Sequence, residues 1–297
     1  MRIFKIMIVL MLLASACSKK QPDSGLRIGI IRPSLNHLPL SYALSQNPDL
    51  EAELKISFFS SGWELQEAMI SNHVDLGIMP FSYAYNAASK GYPLRILSFL
   101  ERETDAIVAP YGLKSLEELD QKRLGVLKAS TLDLLAHDLA KSRGISFDIL
   151  YFRSPNEMIS ALSRGDADAI CLYEPLISKL GEEFEAIYYF AESDPEHPCC
   201  DLVINTKSLT KAKEEQLAGL MHEIEDVIAN APEADLLDFV QSYYGLSETE
   251  AVSALAHTTF RMDLDEEGKT FERRMMQSAQ DLGYISEIPE STQIYIR

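Results

Sequence analysis

The stretch "EHPCCDL" (196–202) sets His197, Pro198, Cys199 and Cys200 side by side. Histidine and cysteine are the side chains with which proteins hold metal ions or exchange disulfides. A structural metal site needs three or four ligands converging on one ion. Successive side chains of a strand point to opposite faces. His197, Cys199 and Cys200 on one strand are therefore not expected to converge, and no metal is expected. If Cys17 is used as argued below, Cys171, Cys199 and Cys200 remain, which is an odd set. One reading pairs Cys171 with Cys199 or Cys200 in a disulfide. The other makes all three small buried residues near a domain boundary. No C-x-x-C, H-E-x-x-H, G-x-S-x-G, P-loop or G-x-G-x-x-G pattern occurs. No catalytic residue and no cofactor are expected, and the chain reads as a non-enzyme.

The other candidates stand where strands should end and helices begin. Asn36 and His37 follow the apolar run "LRIGIIR" (26–32), whose last residue, Arg32, could meet an anion or make a surface pair. Ser60, Ser61 and Trp63, the only tryptophan, follow "LKISFFSS" (54–61). Phe81, Ser82 and Tyr83 follow "VDLGIMP" (74–80). Ser130 and Thr131 open a helix over 130–144, where free N–H groups and the helix dipole favour an anion or a carbonyl oxygen. Glu174 ends a strand in "ADAICLYEP" (167–175), with Tyr173 on the opposite face. A carboxylate there suits amine or amide donors and opposes an anion. Each of these also has a plain alternative: loop residue, helix cap, or packing beneath a helix. Aromatic and acidic candidates outnumber basic ones, which favours a nitrogen heterocycle over a sulfonate or nitrate.

The elements that must position these residues alternate. Strand and helix patterns run through 26–107, restart over 113–190, and turn wholly helical after "DLVINTKSL" (201–209). Such βα units imply an α/β class with two lobes, each a mainly parallel sheet flanked by helices. No short-period repeat is visible. Lys+Arg number 27 against 45 Asp+Glu, a net charge of -18, which disfavours nucleic acid because nothing offsets phosphate repulsion.

The N-terminus carries an address. Arg2 and Lys5 precede the apolar run "IMIVLMLLASA" (6–16), which is shorter than the about 20 residues needed to span a bilayer. It ends directly before Cys17. The segment 1–16 resembles a bacterial lipoprotein signal, with Cys17 as the lipidated residue, although Ala14 stands where leucine is usual. A polar tether over 17–25 follows. The expected location is extracytoplasmic or periplasmic, with a lipid anchor in the membrane.

Four stretches carry a wider resemblance. "VDLGIMPFSYAYNAASKGYPLRIL" (74–97), "SLEELDQKRLGVLKASTLDLLAHDLAKSRGI" (115–145), "MISALSRGDADAICLYEP" (158–175) and "HPCCDLVINTKSLTK" (197–211) are similar, in order and spacing, to solute-binding proteins of nitrate, sulfonate and thiamine-precursor ABC transporters. The resemblance implies a periplasmic-binding-protein type II fold with the ligand cleft between lobes. It places 26–107 plus 201–297 in one lobe and 108–200 in the other. It also implies a small-molecule ligand bound by cleft closure, permease and ATPase partners, and a monomeric receptor. Two alternatives remain. One is an enzyme like the thiamine-pyrimidine synthases of the same superfamily, and the other is a sensor or adhesion lipoprotein that keeps the fold.

Overall fold

The computed structural model describes residues 25–113 and 115–296. The signal segment and Cys17 lie outside them. Short runs rich in Ile, Leu and Val form the strands, and Ser, Thr, Asn or Asp caps open most helices. The chain begins with β1 (Arg27–Ile31), α1 (Leu38–Gln46), α2 (Pro48–Glu53), β2 (Lys55–Phe59), α3 (Gly62–Ile70), β3 (Leu76–Pro80), α4 (Phe81–Ser89) and β4 (Leu94–Arg102). It continues through β5 (Asp105–Pro110), β6 (Arg123–Leu127), α5 (Thr131–Arg143), β7 (Asp148–Phe152), α6 (Pro155–Arg164), β8 (Ala169–Tyr173) and β9 (Phe184–Tyr189). It returns with β10 (Pro198–Asn205) and closes with α7 (Lys211–Asn230), α8 (Glu233–Tyr244), α9 (Glu248–Ala256), β11 (Thr259–Asp263), α10 (Glu266–Asp281) and α11 (Ser291–Ile294).

Two sheets result, ordered β11-β4-β10-β3-β1-β2 and β7-β6-β8-β5-β9. Apart from β11 they are built alike. In each, a parallel trio (β3-β1-β2, β8-β6-β7) meets an antiparallel strand that has crossed from the other sheet (β10, β5). The α/β two-lobed class stands, but the sheets are mixed, not mainly parallel, because β10 and β5 enter reversed. The expected divisions at 107 and 200 fall inside β5 and β10, so by sheet membership the chain crosses at 103–104 and again between 190 and 197.

Two further expectations are corrected. The chain after Tyr173 forms turns, not a helix. The closing region is not wholly helical, because β11 adds an edge strand beside β4. α9 ends at Ala256, and Thr259 and Phe260 pair with Arg102 and Glu101.

The likeness of the lobes extends to side chains. Asp75, one residue before β3, accepts bonds from the backbone N–H and Nε of Arg27 at 2.9 and 3.0 Å. Asp168, one residue before β8, accepts the same pair from Arg123 at 2.9 and 3.0 Å. Each pair ties the start of a central strand to its neighbour. The surroundings differ, since Asp75 is fully buried and also takes the Lys213 ammonium of α7 at 2.7 Å. A Cβ on Gly29 of β1 would lie 2.2 Å from Leu65 Cδ1, so the absence of a side chain is what lets α3 settle on the first sheet.

Candidate functional site

Between the lobes lies a small cavity of about 40 Å³. The first lobe contributes Ile31, Ser34, Asn36, Ser61, Gly62, Pro80 and Tyr83; the second contributes Leu127, Ser130, Thr131, Leu132 and Tyr173. Its base is made where the chain crosses: Glu101, Thr104, Asp105, Cys199 and Cys200. Ser61 caps α3 by accepting from the Glu64 N–H at 3.3 Å, and Ser130 caps α5 by accepting from the Asp133 N–H at 3.4 Å. Both helices therefore turn their positive ends towards the cleft.

Bonds across the cleft hold it closed. Thr131 Oγ1 donates to the Cys199 carbonyl at 3.4 Å, the Leu35 N–H donates to the Glu174 carbonyl at 3.2 Å, and Tyr83 OH reaches the Lys128 carbonyl at 3.5 Å. Tyr151 and Tyr284 share a hydroxyl bond of 2.7 Å. His257 stacks on Tyr189 with ring centroids 3.8 Å apart. A cavity of this size holds about one water, so a larger solute requires the lobes to part.

The base is acidic. Glu101 and Asp105 are buried, and neither Asp105 oxygen nor Glu101 Oε2 has a hydrogen-bond partner. Burial, reinforced by the neighbouring Asp105 charge, pushes the Glu101 carboxyl up to about 7. The His197 Nε2 lies 3.7 Å from Asp105, and its Nδ1 bonds the Asp194 carbonyl at 2.8 Å. Burial works to lower the His197 pKa, but the Asp105 carboxylate 3.7 Å away outweighs it and the net shift is upward. Among the described residues, no Lys, Arg or His side chain lines the cavity.

Of the eleven predicted ligand residues, the structure brings Asn36, Ser61, Tyr83, Ser130 and Thr131 to this cavity. The others lie elsewhere. His37 is buried and its Nε2 accepts from the Ile31 N–H at 2.9 Å; burial, with the nearby Arg32 charge, lowers its pKa to about 3, so it is a neutral strut of β1. Ser60 bonds Glu64 as an outer part of the α3 cap. Phe81 is a core residue, packed edge-on against Tyr85 and Phe271. The Ser82 hydroxyl is buried outside the lining. Glu174 points away: its Oε2 accepts from the Ser178 N–H at 3.1 Å and its Oε1 from Tyr189 OH at 3.4 Å, the capping alternative, while Tyr173 takes the cavity side. Trp63 is 59% exposed and borders an adjoining outer cavity of about 920 Å³, which shares Ser61, Tyr83 and Leu127 with the inner one and is also lined by Lys128, Arg153 and Tyr284.

Sequence reasoning missed Glu101, Thr104 and Asp105 because they read as the end of one strand and the start of the next. "ERETD" (101–105) is nonetheless a polar break between two apolar runs, which is a legible sign of a crossing. The alternation argument made against a metal site also fails for its two cysteines. Register shifts interrupt the β10–β4 pairing on both sides of Cys200. The Cys199 and Cys200 sulfurs consequently lie 3.9 Å apart and both border the cavity, despite the alternation of a regular strand. Cys171, Cys199 and Cys200 are buried free thiols.

Two α/β lobes of matching topology, joined by two crossings and closed over a small polar cavity, define a periplasmic-binding-protein fold. The family model described as "NMT1/THI5 like" matches residues 49–233, and the chain belongs to that family. No curated protein matches the sequence. Among solved structures, the chain is similar to the ligand-binding component of an ABC-type import system from Staphylococcus aureus with zinc bound. The TM-score is 0.77 at 19% identity, covering 91% of this chain and 96% of that one. It is also similar to the alkanesulfonate-binding protein SsuA from Xanthomonas axonopodis pv. citri bound to MOPS (TM-score 0.73, 18% identity, 91% and 96% covered). The periplasmic aliphatic sulphonate-binding protein SsuA from Escherichia coli gives a TM-score of 0.73 at 16% identity, with 92% of each chain covered. At these identities the likeness concerns the fold.

Proposed function

We propose that this chain is an extracytoplasmic solute-binding lipoprotein that captures a small, amine-bearing nitrogen heterocycle and delivers it to the permease and ATPase of an ABC importer. The carrying observation is the cavity between the lobes, with two buried carboxyls at its base and no basic side chain in its lining. Carboxyls accept from ring or exocyclic N–H groups, while the N-termini of α3 and α5 offer donors to a ring nitrogen or carbonyl. A sulfonate or nitrate would meet the same helix ends but also two acidic groups, so it ranks behind. The importer components named among the similar structures support the transport role. No helix of the described residues is long and apolar enough to cross a membrane, so the anchor is assigned to Cys17. The receptor acts as a monomer and turns nothing over.

Thermal unfolding with aminopyrimidines, alkanesulfonates and nitrate tests this reading. At one hundred times Kd, a true ligand stabilises by about 2.7 kcal/mol. We expect that shift with aminopyrimidines and unchanged ligand on recovery. A larger shift with sulfonates would reverse the ligand class. No shift with any of the three would count against transport. Separately, Cys17→Ser is expected to release the expressed chain from the membrane fraction, and retention there would refute the lipid anchor.

A further inference from the structure

We propose that Glu101, Cys199 and Cys200 form a binding site for one thiophilic divalent cation of the zinc class, with a fourth coordination position open to the cavity. One ligand atom from each of the three lies within 4.8 Å of the others, and all three residues are buried. The sulfur separation is diagnostic. Two thiolates at about 2.3 Å from a tetrahedral zinc lie about 3.8 Å apart. The Cys199 and Cys200 sulfurs are 3.9 Å apart, far from the about 2.0 Å of a disulfide. The shifts in the β10–β4 register bring both sulfurs to this spacing, while β4, paired with β10, supplies the carboxylate.

The surroundings fit a cation. Glu101 Oε2 is buried and without a hydrogen-bond partner, which is costly unless something positive meets it. Asn36 Nδ2 donates to the Cys200 sulfur at 2.9 Å, the outer-shell bond that steadies a thiolate ligand. Three protein ligands are the pattern of zinc sites that keep one position open. The cavity, about 40 Å³, has room for a water in that position. On binding, each thiol gives its proton to solvent, and so does the protonated fraction of Glu101, so two to three protons leave per ion. The site shares the cleft with the proposed solute but does not require it.

Metal titration without solute tests this. The purified protein, kept reduced with a phosphine, is titrated with zinc against a chromophoric chelator and with cobalt(II) by absorption. We expect one equivalent bound, tetrahedral cobalt bands, and a thiolate-to-cobalt charge-transfer band. Cys199→Ser and Cys200→Ser should each weaken zinc by more than the about 10–100-fold that loss of an outer-shell partner costs, and should diminish the charge-transfer band. Glu101→Gln should weaken zinc while leaving that band. Cys171→Ser should change neither, and an unfolding scan of each variant separates lost binding from lost fold. No charge-transfer band in the wild type, or an undiminished band in both serine variants, would overturn the site. So would a protein that stays two hydrogens lighter, with no zinc bound, after the phosphine treatment, the sign of a Cys199–Cys200 disulfide that resists reduction. Solute binding with no metal binding would leave the transport reading standing and remove this one. Metal binding without any solute would do the reverse.

Discussion

Replacing Asp75 with alanine is expected to lower the unfolding free energy by about 3–5 kcal/mol, the cost of breaking a buried charge pair by removing one partner. Asp75 is the point at which β1, β3 and α7 are tied together. It takes the Arg27 guanidinium at 2.5 and 3.0 Å, the Arg27 backbone N–H at 2.9 Å and the Lys213 ammonium at 2.7 Å. Lys213 is itself buried, so alanine strands an ammonium with no counter-charge. The second lobe supplies an internal control. Asp168 makes the matching bonds to Arg123, but those side chains are 32% and 41% exposed and no lysine joins them. Asp168→Ala should cost about 1 kcal/mol or less, the range of solvent-exposed pairs. Urea or guanidinium melts of the two variants check the contrast, and equal losses would mean that burial does not set the difference.

The same residue gives a pH signature. Burial alone would raise the Asp75 pKa, but bonds from Arg27, Lys213 and Ser208 outweigh it and hold the carboxyl down to about 2. Its folded pKa lies below the unfolded value of about 3.9. Its contribution is therefore full above about pH 4 and is lost as pH falls towards 2. Wild type and Asp75→Ala should differ most at neutral pH and converge on acidification through that window.

Gly62→Ala should weaken solute binding by about ten- to a hundredfold with little change in the fold. A Cβ at Gly62, the first residue of α3, would lie 2.6 and 2.8 Å from two ring atoms of Tyr83 and 3.2 Å from Pro80 Cδ. The backbone cannot yield there without moving the helix start, so the Tyr83 ring must turn. Tyr83 borders both cavities and touches the opposite lobe through the Lys128 carbonyl. Its displacement would fill the cleft or loosen its closure. Overpacking of this kind costs about 1–3 kcal/mol, and each 1.4 kcal/mol is about tenfold in affinity. Titration calorimetry with the ligand identified above measures it, and unchanged affinity would show that Tyr83 does not shape the site.

What is legible in the sequence alone is local or periodic. Apolar runs gave β1, β3, β4 and β5 their places, and a serine cap with a closing glycine bounded α5 at Ser130 and Gly144. The order of motifs along the chain was enough for the two-lobed fold, because that fold is written as a sequence of βα units. Helix starts also located part of the site: Ser61, Ser130 and Thr131 border the cavity because a helix end after a strand must face the cleft. The lobe likeness stayed hidden. It rests on Arg27–Asp75 and Arg123–Asp168, two pairs whose members are far apart in the chain, with only the short likeness of "RIGI" (27–30) to "RLGV" (123–126) to mark it locally.

Which side chains face one another was a matter for tertiary structure alone. Glu101 and Asp105 become cavity walls only because the crossing between them turns two strands into different sheets. Glu174 and His37 are turned away by bonds to Ser178 and Ile31 that no spacing predicts. The cysteines make the case most directly. Strand alternation, a true average rule, separated Cys199 from Cys200, and a register shift against β4 brought their sulfurs together. Sequence determines the local geometry of a strand, but a bulge depends on the partner strand, and the partner is chosen by the fold.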